Sequence, residues 1–149
     1  MMLLDWSTFV LERRINRPFG PVIRTITNPA VFGPGCVVSS DPDGALRLDE
    51  AFHRIDMFRH TVWRAHATLL DTRGRRIAAV EIEIGPWSST SDTHLVLRPR
   101  ARRPEEWSRP RLRRYFAHAH VRADGLTHLL LHSAPERTRG QDVALGVRA

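Results

Sequence analysis

The sequence predicts an α+β fold: antiparallel strands joined by hairpins, then one long C-terminal helix. Three observations carry this. "TVWRAHATLL" and "RRIAAVEIEIG" flank the turn sequence Asp71-Thr72-Arg73-Gly74 and alternate so that one face of the pair is uniformly apolar. "CVVSSDPDGALRL" repeats the arrangement around Asp41-Pro42-Asp43-Gly44. Beyond Pro104 the apolar spacing lengthens to that of an amphipathic helix.

The first strand falls within residues 7–15, "STFVLERRI", where Phe9, Leu11 and Ile15 can share a face. In "NRPFGPVIRTITNPAVF", Pro18 and Pro21 suit a first helical turn, whose N–H groups lack partners in any case. Val22, Ile23 and Ile26 form an apolar stripe there, and Asn28-Pro29 stops it, with a further turn through Phe32. The hairpin around 41–44 follows, and residues 49–60 show no clear period. In the next hairpin a four-residue loop sets Leu70 opposite Arg75, which places Trp63 against Ile82, Ala65 against Val80 and Ala67 against Ala78. The same count sets Arg64 opposite Glu81 on the other face, a cross-strand charge pair. After Gly85-Pro86 and a polar run, "THLVLRP" adds Leu95 and Leu97 to the apolar face and closes at Pro99.

In the final helix Phe116, Ala119, Ala123, Leu126 and Leu130 recur at helical spacing. Its start is expected at "RPEEW", residues 103–107, with Pro110 either bending the helix or marking its true beginning. Gly125 within it costs about 1 kcal/mol relative to Ala. The length of 149 residues fits one domain, taken as residues 1–135, with 136–149 a polar, loosely ordered tail.

Composition removes several function classes. All 23 basic residues are Arg, so Schiff-base and phosphate-loop lysine chemistries are excluded. The lone Cys36 excludes an intramolecular disulfide and a multi-cysteine zinc site, and points to a reducing cytoplasm. The start, Met1-Met2-Leu3-Leu4-Asp5, is too short an apolar run for a signal peptide, and nothing later has the length of a membrane span. The net charge of +7 is read first as a solvated surface, since arginine in place of lysine on this scale also follows from GC-rich coding.

Four of the eight histidines, His118, His120, His128 and His132, lie on the last helix. His128 and His132 are one turn apart and share a face with Asp124, a spacing that two metal ligands and a carboxylate can use, but no third strong ligand is near in sequence. His118 and His120 lie about 200° apart on the helix and cannot converge. These histidines are therefore read as solvent-facing or sheet-edge residues. Glu81 and Glu83 point to the same outer side of their strand and are expected to meet arginines such as Arg64. No residue is assigned a catalytic role, and neither a metal nor a cofactor is expected.

The order of strand, short helix, antiparallel strands and long closing helix resembles that of the START-like (SRPBCC) superfamily, which includes polyketide cyclases and lipid-transfer proteins. "FVLERRINRPFGPVIRTITNP" looks like that family's first strand, turn and first helix. "LRPRARRPEEWSRPRLRRYFAHAHVRADGLTHLL" is similar to the last strand, basic linker and closing helix of uncharacterised actinobacterial members. Gly20-Pro21 and Gly125 depart from the usual pattern. The resemblance implies a helix-grip fold, a curved antiparallel sheet of about six strands wrapped around the long C-terminal helix, with an apolar cavity between them.

On that fold the cavity is expected to be lined by Trp63, Ala65, Ala67, Ala78, Val80, Ile82, Leu95, Leu97, Phe116, Leu126 and Leu130, with the alanines leaving volume for a guest. Arg13, His66 and His94 are candidates for its mouth. The expected partner is a hydrophobic small molecule or lipid; the alternative is a cyclase- or dehydratase-type enzyme in the same cavity. A third reading is an anionic surface or nucleic acid bound by Arg98, Arg100, Arg102, Arg103, Arg109, Arg111, Arg113 and Arg114, interleaved with Trp107 and Tyr115.

Overall fold

In a computed structural model, residues 10–42, 44–58, 60–87, 91–100 and 109–132 are described. Strand β1, Leu11–Ile15, leads through Pro18, which caps helix α1, Phe19–Ile26. Pro21 stands in the first turn, where its missing N–H removes no bond. The one-turn α2, Pro29–Phe32, is capped by the Asn28 side chain, which accepts from Ala30 N at 3.0 Å. Its Phe32 meets Phe52 edge to face, with centroids 6.0 Å apart. Phe9 and the start of the predicted first strand lie outside the described residues.

Seven antiparallel strands form one sheet. After β1 come β2, Val37–Asp41; β3, Gly44–Leu48; β4, His53–Met57; β5, His60–Leu70; β6, Arg76–Pro86; and β7, Thr93–Arg100. The order is β1-β7-β6-β5-β3-β2, and β4 also pairs with β5. The sheet is thus six positions wide, because β5 is met by β4 over its first half and by β3 over its second. Strand β4 is the element the sequence left unread. Four of its five residues are exposed, so neither face carries a burial rhythm.

The β5–β6 register corrects the sequence-based count. Trp63 pairs with Ile84, Arg64 with Glu83, Ala65 with Ile82 and Ala67 with Val80, two residues beyond expectation, while Leu70 pairs with Arg76 across a register shift. The cause is the turn. Asp71 N donates to Arg75 O at 2.9 Å, Gly74 takes a φ of 75°, and the extra residue enters as a bulge. A slip of two preserves which residues face inward, so the apolar face survives the error. A bulge in β2 likewise brings the consecutive residues Val38 and Ser39 both under cover.

Helix α3, Arg109–His132, crosses the opening of the curled sheet and packs chiefly on β1 and β2, the strands at its two ends. Pro110 stands at its second residue, and the expected "RPEEW" start lies outside the described residues. On the β1 side, Arg13 Nε bonds Asp124 Oδ1 at 2.6 Å and Arg17 donates to Leu130 O at 2.9 Å. On the β2 side, Gly125 lies so close to Ser39 that a Cβ would collide with the Ser39 hydroxyl. Leu11, Ile15, Leu46, Leu48, Leu69, Ile84 and the α1 residues Val22 and Ile26 complete the core. No described helix is long and apolar enough to cross a membrane.

Candidate functional site

The concave face of the sheet and the inner face of α3 enclose the residues that the sequence singled out. Ala65, Ala67, Ala78, Val80, Ile82, Leu95 and Leu97 come from β5, β6 and β7 and are between 0% and 4% exposed. Leu126 and Leu130 are fully buried on α3, and Trp63 packs half-buried against the core. The side chain of Phe116 lies outside those described. Side chains this closed leave no solvent-sized space beside them, so the described part of the lining is closed in this conformation.

The first half of α3 adds a polar stretch to this inner face that the sequence reading missed. Tyr115, Ala119, Arg122, Leu126 and Leu130 follow one another at spacings of three and four, and Tyr115 and Arg122 are 2% and 1% exposed. His118, read as solvent-facing or sheet-edge, is buried beside them. Helical phase alone would have found Tyr115 and Arg122, which occupy the stripe marked by Leu126 and Leu130. Their polar chemistry concealed them, since arginine is rarely buried without a partner.

Above His118 a groove opens at the molecular surface between α3 and the β5–β6 turn. Its volume is about 470 Å³, and its walls are Asp71, Thr72, Arg73 and Arg75 from the turn and Arg114, Ala117, His118 and Val121 from the helix. Asp71 builds the turn. Its Oδ1 accepts from the backbone N–H groups of Arg73 and Arg75, each at 2.9 Å, and its Oδ2 from Arg75 Nε at 3.1 Å. The backbone hydrogen bond from Arg75, supported by that from Arg73 and by the guanidinium, holds the Asp71 carboxyl below the usual carboxylate range.

Of the three residues expected at the mouth, Arg13 lies on the seam between β1 and α3, held by Asp124 and 3.2 Å from His120 Nδ1. His66 and His94 do not belong there. Both lie on the convex face, His66 at 2.8 Å from Glu50 and His94 at 2.7 Å from Glu12. Strand parity requires it, since Ala65, Ala67 and Leu95 point inward.

The arginines from 98 to 114 are distributed over two elements. Arg98 lies on the convex face, 3.4 Å from both Glu81 and Glu83, and Arg64 meets Glu83 at 2.7 Å and Glu81 at 3.7 Å. Burial would push the Glu83 carboxyl up, but the Arg64 hydrogen bond and the Arg98 charge outweigh it and hold Glu83 below its ordinary range. Arg113 and Arg114 are exposed on α3; Arg102 and Arg103, and the side chains of Arg100, Arg109 and Arg111, lie outside those described.

The His128 and His132 rings lie tilted against each other, with centroids 4.4 Å apart, on the exposed side of α3, while the neighbouring Asp124 is taken by Arg13. Burial pushes the Cys36 thiol up, away from thiolate chemistry at neutral pH. No protein-family model matches the chain, and no curated protein does.

Proposed function

We propose that this protein binds an apolar small molecule or lipid between the concave face of the sheet and α3, in the manner of START-like helix-grip proteins. One observation carries the reading: α3 rests on the two end strands and spans the middle of the sheet, where the inward residues of β5 and β6 include Ala65, Ala67 and Ala78. Small side chains under a spanning helix make that region the easiest to widen. Burial of ligand surface supplies the affinity, at roughly 25 cal/mol per Å². Because the lining is closed, the guest enters by displacing α3 or the β5–β6 turn. The element order, with two short helices between β1 and six further strands, supports the same family likeness.

Native mass spectrometry of the purified chain tests this, together with methyl NMR on adding dodecanol. The expected result is a hydrophobic adduct, or uptake of dodecanol with shifts at the methyls of Ala65, Ala67 and Ala78. A bare mass with no dodecanol-induced change at those methyls overturns it.

A second reading is favoured by Tyr115, His118 and Arg122 on the inner face of α3. A His and an Arg inside an apolar enclosure are the groups a cyclase or dehydratase needs, one to move a proton on an enolisable ketone and one to hold the enolate charge. On this reading His118→Asn binds an enolisable polyketone as the parent does and loses its turnover.

A further inference from the structure

The groove at the β5–β6 turn brings exposed positive charge beside the buried side of α3. Its walls hold three guanidiniums, those of Arg73, Arg75 and Arg114, and one carboxylate, that of Asp71. Asp71 is spent on the turn backbone and on Arg75. Among the described residues no carboxylate pairs with Arg73 or Arg114, so two cations face the groove uncompensated. The rest of the helix wall is different in kind: Ala117 and Val121 are apolar, and His118, at 8% exposure, belongs at once to the groove and to the buried side of α3. A space of about 470 Å³ is ample for the head and first carbons of an amphiphile.

We propose that this groove binds the oxyanion head, carboxylate or phosphate, of an amphiphile whose tail lies between sheet and helix. The inference rests on the interior reading above. Arg73 and Arg114 approach the head from opposite walls, the turn and the helix, and so favour an anion that sits between them over one that lies on either surface. A neutral head leaves both guanidiniums unpaired and gains nothing from the groove.

Calorimetric titration of dodecanoate, dodecanol and inorganic phosphate into the full chain and into the Arg73→Gln/Arg114→Gln double variant tests this. Both positions are exposed, so the variant is expected to fold as the parent does. The expected result is dodecanoate binding about tenfold or more tighter than dodecanol, a preference lost in the double variant while dodecanol affinity stays unchanged. Equal affinity for dodecanoate and dodecanol in the parent, or a preference that survives in the variant, overturns the head site and leaves the interior reading intact. Phosphate binding as tightly as dodecanoate shows a free-oxyanion site and overturns the link to the interior. Binding of neither amphiphile overturns the interior reading, and this inference falls with it.

Discussion

Gly125 shows how one residue can carry opposite meanings in sequence and in structure. As a helix interior position it costs about 1 kcal/mol relative to Ala. In the fold it lets α3 close on β2, because a Cβ would meet the Ser39 hydroxyl, and that buried hydroxyl has no hydrogen-bond partner among the described residues. Removing the hydroxyl removes both the collision and an unsatisfied polar atom. Ser39→Ala is therefore expected to be neutral or stabilising, by up to about 1 kcal/mol. In that background Gly125→Ala is expected to add about 0.5–1 kcal/mol, and in the parent less, because Ser39 must first rotate away. Denaturant unfolding of the four proteins of this cycle measures the difference; additive effects would show that Ser39 and Gly125 do not touch. Neither residue identifies its partner in sequence, since the contact depends on a bulge in β2 that hydrophobic patterning does not register.

Among the elements, the strands were legible wherever one face is buried and the other is not. Strands β5, β6 and β7 alternate, and their inward residues were read correctly from parity alone. Their register was not, because it depends on the φ of Gly74 and on a bulge beyond Arg75, features of the turn backbone rather than of side-chain polarity. Strand β4 was invisible for the opposite reason, being exposed on both faces, and the chain turns from it into β5 at Phe58, held at a φ of 52° and fully exposed. The register has an electrostatic consequence on the convex face. Glu83, not Glu81, stands opposite Arg64, and together with Arg98 it ties β5, β6 and β7 across their outer side. Because the folded state holds the Glu83 pKa below its ordinary value of about 4.5, this contribution is fully present above that pH and is lost as pH falls through the lowered folded value. Glu83→Gln is expected to cost about 1 kcal/mol at neutral pH, allowing for solvent screening, and the gap from the parent should close as the pH falls through the lowered folded value. Thermal melts across that range check the sign; a gap that widens in acid would mean that Glu83 is not held by its arginines.

For the whole molecule, the two seams of α3 differ in the contacts that hold them, and on the proposed binding reading that difference decides where a guest would enter. Toward β1 the helix is held by the Arg13–Asp124 ion pair and by Arg17 on the Leu130 carbonyl. Toward β2 the described contact is Gly125 against the unpartnered Ser39 hydroxyl, with no ion pair beside it among the described residues. Opening is therefore expected to hinge on the β1 seam and part the β2 seam, exposing the side where His118 and the cationic groove lie. A covalent lock tests this. A Cβ at Gly125 would stand 3.4 Å from the Ser39 Cβ, close to the separation that a disulfide spans. Ser39→Cys/Gly125→Cys, made with Cys36→Ser to remove the competing thiol, is expected to oxidise readily and to unfold at higher temperature than its reduced form. If the β2 seam is the door, the oxidised protein takes up dodecanol far more slowly than the reduced one, and added reductant restores the rate. Equal uptake rates with the bridge shown intact by mass would mean that the guest enters elsewhere. The β1 seam is then the next to lock, because parting it must first break the Arg13–Asp124 pair.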